Sequence, residues 1–389
     1  MKEVDFLNHR LRSVRRLVVK VGTNLLRGPR EGLNQEFIAS LARQISKLRE
    51  GKIDVILVSS GAVGAGAFVL GYETPPAETA LRQALAAIGQ SRLMHHYEQE
   101  FARHGVTVAQ VLLTRDHLDD RRRYLNARNT FDALLAHRVV PIVNENDTVA
   151  VEELKFGDND QLSALIAGKI GADLLVILTD VQGIFDRDPS EPGAVRIPFL
   201  RLDDHSRVEI GEGTAGSFGL GGMRSKLEAA RLATRAGILT FIGPGRTDRV
   251  LHRVLHRVLE GEALGTWCEP ERRISARKRW LALGKRPVQG KIRIDSGAEK
   301  ALRSGGKSLL PSGVRAVEGE FERGDLVCVV GADASEIAIG LTRYSSIELE
   351  SIKGRRTGDI TPILGDRQSF EVIHRDDMVV TTSSGVENG

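Results

Sequence analysis

Residues 141–164 read PIVNENDTVAVEELKFGDNDQLSA, and the reading of the fold turns on this stretch. Arg138-Val-Val-Pro-Ile-Val143 leads into it, apolar and β-branched as a buried strand is. The strand breaks into Asn144-Glu145-Asn146-Asp147. A second polar cluster follows at Gly157-Asp158-Asn159-Asp160, and Gln161 to Ala167 then carries a helical pattern. Short carboxylates and amides therefore sit at a strand's carboxyl end and at a helix start. Asn and Asp cap helices and make Asx-turns, which accounts for any one of them. Two such clusters flanking one short excursion ask for more, because the carboxyl ends of strands are where open α/β sheets hold ligands. Carboxylates that accept from an ammonium, with amides that donate to a carboxylate, fit a small zwitterion.

Upstream, Arg16 to Asn24 is a strand running into a glycine turn, and it carries Lys20 inside a β-branched run. Lysine is rarely buried unpaired. Two readings stand side by side, an edge-strand lysine and a phosphate-contacting lysine at the mouth of the sheet. Residues 34–50 place Phe37, Ile38, Leu41, Ile45 and Leu48 at helical spacing. Ile53 to Ser60 is a second strand, and Gly61-Ala-Val-Gly-Ala-Gly-Ala67 follows it. Three glycines there fit an anion cradle or close strand–helix packing through small residues equally well. Residues 78–104 and 121–137 read as helices and Val106–Leu113 as a strand; the basic run from Arg121 to Asn129 fits a solvated helix face.

Downstream, Asp173 to Asp180 is a strand with a polar end, Thr179-Asp180, and Val181 to Pro189 is a turn-rich loop. GEGTAGSFGLGG (211–222) is the densest glycine region and leads into Met223-Arg-Ser-Lys226 and a helix ending near Gly237. A glycine loop that delivers Lys226 at a helix start is a phosphate-grip arrangement, and a disordered surface loop is the plainer alternative. Ile238 to Ile242 is a strand and Arg249 to Glu260 a helix, on which His252 and His256 form a solvated face. Strand–helix alternation to about residue 265 predicts a mostly parallel sheet covered on both faces, an α/β fold. After that, short alternating segments divided by glycines predict a small, mainly β domain, with a frayed tail after Asp377.

Composition narrows the class. The chain has 389 residues, 41% hydrophobic and 27% charged, enough for two or three domains of an ordinary globular protein. The net charge is +4, and after Cys268 there are 20 basic against 18 acidic residues, so charge does not demand a nucleic-acid partner. Cys268 and Cys328 form no metal spacing, and their scarcity fits a reducing compartment. No apolar run approaches the ~18 residues of a membrane span. Met1 to Arg16 lacks the apolar core of a secretory signal. A cytoplasmic protein is the expectation.

Two lysines at glycine-rich turns, a Thr-Asp strand end and an Asn/Asp pocket point to phosphoryl transfer, which needs in-line placement and cations around the transferred oxygens more than covalent help. If the acceptor is a carboxylate, a lysine on either side of the phosphate offsets charge repulsion. An acid, for which Asp160 is the candidate, would hold both lysines. No protein base is needed, because a carboxylate is already ionised at neutral pH.

At this point the sequence resembles the amino acid kinase family, and within it the glutamate 5-kinases. The matching segments run from about Arg16 to Asp377: VVKVGTN (18–24), VSSGAVGAG (58–66), AIGQSRL (87–93), LLTRDHLDDRRRYLNARNT (112–130), PIVNENDTVA (141–150), GDNDQLSA (157–164), LTDVQGIF (178–185) and GGMRSKLEAA (221–230). The later segments SLLPSGVRAVEGEFERGD (308–325) and HRDDM (374–378) resemble a PUA domain. The resemblance implies an amino-acid-kinase-like αβα sandwich over residues 1–268, a linker at 269–286, a PUA-like domain at 287–377 and a flexible tail at 378–389. It implies ATP, Mg²⁺ and L-glutamate as reactants, with Mg²⁺ held mainly by ATP phosphates and not by protein groups. Proline as a feedback inhibitor and a homo-oligomeric state come with it. Residue by residue, Lys20 and Lys226 would grip the transferring phosphoryl group and Asp160 would orient them. Ser60, Asp147 and Asn159 would bind glutamate, with Asn144 lining the same pocket. ATP would meet Lys20, Thr179, Asp180 and the run Leu220, Gly221, Gly222, Met223, Arg224, Ser225 and Lys226. Leu220 stands where the family often has Thr, so its nucleotide contact would be through backbone alone, whereas Ser225 keeps the hydroxyl of the family's Thr.

Kinases of aspartate, acetylglutamate or UMP share the lysines and glycine turns and are the nearest alternatives; the paired NEND and GDND clusters favour glutamate. An RNA-binding protein is the alternative from another class, because PUA domains occur in such proteins. The run Arg272 to Arg293, nine basic residues and no acidic one, with Trp280 as a stacking surface, encourages that reading, and the near charge balance of the C-terminal third opposes it.

Overall fold

The computed structural model describes residues 2–28, 32–114, 117–118, 121–150, 159–202, 220–256, 264–270, 288–304, 307–355, 359–364 and 370–380. It divides into two compact units, Met1–Arg273 and Ile274–Gly389. The glycine-rich residues 211–219, the stretch 151–158 with Asp158, and residues 271–287 with Trp280 lie outside the described residues.

The first unit is built on an eight-stranded sheet. Its six longer strands are β1 (Arg16–Val21), β2 (Asp54–Ser59), β3 (Val108–Leu113), β4 (Val140–Glu145), β5 (Leu174–Thr179) and β7 (Leu239–Pro244), in the spatial order β3-β4-β2-β1-β5-β7 with β3 at one edge. All five pairings among them are parallel. The short strands β6 (Phe199–Arg201) and β8 (Thr266–Glu269) finish the far edge, β8 running antiparallel to β7. These two were not foreseen in the sequence. The β6 strand is three residues long, below the length at which alternation can be read.

The alternation of β1 sorts its side chains between two layers. Leu17, Val19 and Val21 join a core with Val55, Leu57, Leu174 and Val176. That core is closed by α1 (Lys2–Arg12), α3 (Gln35–Glu50), α5 (Thr79–Ala102) and α9 (Val250–His256). Val18 and Lys20 point to the opposite face, and there α7 (Asn159–Ile170) lies against β1, β2, β4 and β5. With α6 (Arg121–Ala136) and α8 (Leu220–Arg235) touching the sheet as well, both faces are covered. Helix α3 starts on Asn34, whose side chain accepts from the Phe37 N–H at 3.0 Å.

Three sequence expectations need correction. Lys20 is not on an edge: β1 is hydrogen-bonded on both sides, to β2 and β5. The glycines of Gly61–Ala67 do not pack a strand against a helix. Gly61, with φ 99°, is the left-handed N-cap of helix α4 (Ala62–Val69). Further along, Gly66 and Gly89 bring α4 and α5 together, since a Cβ on either would fall within 2 Å of a backbone oxygen of the other helix. The small residues therefore pack helix against helix and not strand against helix. Third, β4 does not stop at Val143. Asn144 and Glu145 pair with Leu112 and Leu113 of β3 and are buried, because Asn144 has hydrogen-bond partners that repay its burial. On α9, His252 and His256 are exposed.

The second unit has a five-stranded sheet in the order β10-β9-β11-β12-β13, with β9 (Gly290–Ile294) parallel to β11 (Leu326–Val330) and the other pairings antiparallel. Strands β10 (Val314–Glu318), β12 (Glu336–Leu341) and β13 (Met378–Val380) complete it. Its core gathers Ile292, Ile294, Val327, Val329, Ile337 and Tyr344. Two helices complete that core: α10 (Ser296–Arg303), capped by Asp295, and α11 (Ser346–Ile352), capped by a Ser345/Glu348 box. Residues 378–380, expected in the tail, form β13 instead, which pairs with Ala338–Gly340 of β12, and Met378 is buried in the core.

Candidate active site

The parallel strands β1, β2, β4 and β5 end on the same side, and chain order reverses about β1: β2 lies on one flank and β5 on the other. A crevice at such a reversal is where open α/β sheets bind ligands. Lys20 comes from β1, Ser60 from just past β2, Asn144 from β4 and Thr179 from β5.

Helix α7 closes the crevice with its first two residues. Asp160 is fully buried, and its Oδ1 lies 2.5 Å from Lys20 Nζ. Its Oδ2 lies 3.3 Å from Lys226 Nζ. One carboxylate thus joins a lysine from the central strand to a lysine from the first turns of α8. Lys226 Nζ also donates to the Gly222 carbonyl at 3.0 Å. Two ammonium groups against one carboxylate leave a net positive charge in a water-poor place, and an anion is the complement. Ser225 adds a buried Oγ with no hydrogen-bond partner among the described residues. These groups fit the phosphates of a nucleotide. Leu220 to Gly222 form the start of α8 and are not part of a preceding loop; Met223 is half-buried and Arg224 exposed.

On one side of Asp160, Asn159 continues the site. Its Nδ2 donates to Ser60 Oγ at 2.9 Å and to Asn144 Oδ1 at 3.0 Å. Asn144 Nδ2 donates in turn to Gln90 Oε1 at 2.8 Å. Behind them, Tyr97 and Ser59 share a buried 2.9 Å hydrogen bond. Gln90 lies on the wall of a cleft of about 230 Å³ whose lining includes Ala62, Gln110, Glu145, Asn146 and Asp147. The structure therefore connects Ser60, Asn144, Asn159, Asp160 and both lysines in one contact chain, and Asp147 borders the cleft at its end. Gln90 and Gln110 were missed in the sequence. The quoted AIGQSRL segment contained Gln90, but a glutamine inside a helix carries no local mark of function.

On the β5 side, Thr179 Oγ1 donates to Asp180 Oδ1 at 3.0 Å, and Asn24 Nδ2 donates to Asp180 Oδ2 at 2.8 Å. Burial pushes the Asp180 carboxyl up, but the hydrogen bonds from Asn24 and Thr179 and the charge of Lys226 outweigh it, so it titrates below the ordinary carboxylate range. No direct hydrogen bond links Thr179 or Asp180 to the lysines among the described residues.

A mostly parallel sheet with two lysines on one buried aspartate at its carboxyl edge defines a phosphoryl-transfer architecture. The profile of the amino acid kinase family matches residues 15–243, and that of the PUA domain matches residues 290–364. A glutamate 5-kinase of Chromohalobacter salexigens is 48% identical over 372 residues, 95% of this chain and 97% of that protein. Glutamate 5-kinases of Pseudomonas putida and Pseudomonas fluorescens are each 46% identical over 376 residues, 96% of this chain and 100% of theirs. The chain belongs to the amino acid kinase family and, within it, to the glutamate 5-kinases.

Proposed function

We propose that this chain transfers the γ-phosphoryl group of ATP to the side-chain carboxylate of L-glutamate, giving ADP and L-glutamyl 5-phosphate, the opening step of proline biosynthesis. The observation that carries the reading is the Lys20–Asp160–Lys226 bridge beside a cleft lined by carboxylates and amides. A γ-carboxylate oxygen attacks the γ-phosphorus, the bond from that phosphorus to the bridging oxygen breaks, and ADP leaves with the electron pair. No proton has to move, because the acceptor is already an anion. Lys20 and Lys226 balance the charge that spreads over the equatorial oxygens. Asp160 keeps both ammonium groups aimed and prevents either from closing onto the acceptor. Ser60 and Asn159 orient the acceptor, Asn144 shapes the pocket, and Asp147 receives the α-ammonium. Thr179, Asp180 and the residues from Leu220 to Ser225 border the nucleotide. Bound through the ATP phosphates, Mg²⁺ would neutralise part of their charge; no protein ligand is assigned to it.

Proline carries the same ammonium and carboxylate, so inhibition at the same cleft belongs to this reading. So do a homo-oligomeric state and a cytoplasmic site of action. No described helix is long and apolar enough to cross a membrane.

The test is an ATP-dependent hydroxamate assay with L-glutamate, L-aspartate and N-acetyl-L-glutamate in parallel, hydroxylamine trapping any acyl phosphate. A glutamate-selective signal that Lys20→Ala and Lys226→Ala each abolish is the expected result. A signal with another acid instead would move the substrate, and no signal with any would refute acyl-phosphate formation and send the search to UMP.

A further inference from the structure

The amide chain beside the cleft has a direction, and one backbone group fixes it. The Glu145 N–H donates to Asn144 Oδ1 at 2.9 Å. A backbone N–H can only donate, so this bond settles which end of the Asn144 amide is oxygen. Asn144 Nδ2 must then be the donor to Gln90 Oε1 at 2.8 Å. Turning the Gln90 amide over would set two NH₂ groups against each other. The chain therefore ends on Gln90 Nε2, a buried donor with no hydrogen-bond partner among the described residues. The side chain that carries it is 8% exposed and lines the cleft. A buried donor is costly to leave unpaired, so an acceptor belongs opposite it.

The frame around this donor is stiff. Gln90 follows Gly89 on the 24-residue helix α5, and Gly89 is where α5 closes on the Ala62 carbonyl of α4. Ala62 is itself part of the cleft wall.

We propose that Gln90 Nε2 donates to the α-carboxylate of the substrate amino acid and is the residue that sets which end of it faces the lysines. The proposal rests on the glutamate reading above. The two ends of the amide chain differ. Asn159 adjoins Asp160, which holds both lysines, so the γ-carboxylate is consumed there. Gln90 lies two amides away from Asn159, through Asn144. The acceptor group left for that end of an amino dicarboxylic acid is the α-carboxylate. Glu145 and Asp147, in the same lining, suit the α-ammonium beside it.

The test compares the full-length wild type with Gln90→Ala and Gln90→Glu in the hydroxamate assay, with L-glutamate and ATP varied separately. Gln90→Ala is expected to raise KM for glutamate by about 10- to 100-fold, the worth of one hydrogen bond to a charged group. KM for ATP stays within twofold and kcat within about threefold, because the contact is equally present in ground and transition states. Gln90→Glu, of the same shape, puts a carboxylate against a carboxylate; its KM for glutamate exceeds that of Gln90→Ala at pH 8 and falls back toward the wild-type value at pH 5.5, where the new carboxyl regains a proton to donate. A merely structural amide would not give that pH-dependent recovery. An unchanged KM for glutamate in both variants overturns the proposal, as does a loss confined to kcat. If Gln90→Ala does not fold, the pH series on Gln90→Glu decides alone. A wild type without glutamate-dependent hydroxamate refutes the function and the inference together, whereas an active wild type with indifferent variants refutes only the inference.

Discussion

Replacing Asp160 by Asn keeps the shape of the side chain and removes the one negative charge between two lysines. The size of the effect can be worked from the two distances. At an effective dielectric of about 20, a unit pair separated by the 2.5 Å of Lys20–Asp160 attracts by about 6–7 kcal/mol, and one at the 3.3 Å of Lys226–Asp160 by about 5 kcal/mol. Desolvation takes back much of that, and removing one partner of a buried pair costs about 3–5 kcal/mol in practice. Felt at the transition state, such a loss lowers kcat between about a hundredfold and several thousandfold. KM for ATP should move the other way or not at all. Two ammonium groups no longer shared with a carboxylate are free to close on the triphosphate, so ground-state binding holds while the aim is lost. The same change leaves two lysines facing each other in the unliganded protein. Its melting temperature falls, and ATP restores part of the loss by binding only the folded state. The hydroxamate assay with glutamate saturating and ATP varied gives both constants, and a thermal melt with and without ATP gives the third reading. A kcat within threefold of wild type, or a steep rise in KM for ATP with kcat intact, would show that Asp160 does not aim the lysines.

Glu228 ties the two helix starts that carry the site, since its Oε2 accepts from Gln161 Nε2 at 3.0 Å and its Oε1 from Arg224 Nε at 3.3 Å. Glu228→Ala should lower kcat by about tenfold through a misplaced Lys226 while KM for glutamate stays within twofold; an unchanged kcat removes Glu228 from the positioning of the lysine. Asp180 titrates below an unfolded carboxylate of about 3.9, so its stabilising contribution is complete above that pH and is lost as pH falls through its lower native value. The melting-temperature gap between wild type and Asp180→Asn should therefore be constant from pH 5 to 8 and shrink below pH 4, and a gap that widens in acid would contradict the assignment. Burial pushes the Cys268 thiol up to about 12, and burial with the nearby Glu336 pushes Cys328 up to about 11. Neither should react with Ellman's reagent at pH 8 in the native protein, and both should in guanidinium; fast labelling of either in the native state would be inconsistent with its burial.

What could be read along the chain was what has a short period or a local cause. The strands β1, β2, β4, β5 and β7 announced themselves as apolar runs that end in polar or glycine residues, and the long helices as 3.6-residue patterns. Lys20 stood out because a lysine in a β-branched run needs a reason. The sequence left that reason open, because pairing is a tertiary fact: Asp160 lies 140 positions away and reaches Lys20 only because β1 turns that residue toward α7. The glycines misled in one respect. Gly66 serves the approach of α5, and only the partner helix, some twenty residues on, could reveal it. Gln90 illustrates the other limit. Its chemistry depends on the Glu145 N–H, which orients Asn144, which orients Gln90, and no spacing rule links residues 90 and 145.

The two lysines are built differently, and on the proposed reading the difference bears on how the transferred group would be held. Lys20 is fixed by the backbone of a strand with neighbours on both sides, and its side chain is 5% exposed at 2.5 Å from the shared carboxylate. Lys226 sits on the first turns of a helix, 13% exposed, at 3.3 Å from the same carboxylate and 3.0 Å from a carbonyl of its own turn. The first has its backbone held on both sides and its side chain buried against the carboxylate. The second exchanges a longer ion pair and a hydrogen bond within its own helix, both replaceable by a phosphate oxygen. In the proposed reaction Asp160 would therefore be less a third grip than a fixed reference. It would hold Lys20 in either case and give Lys226 a place to rest when no phosphate is present. Such a role would account for a buried acid, costly by itself, at this position.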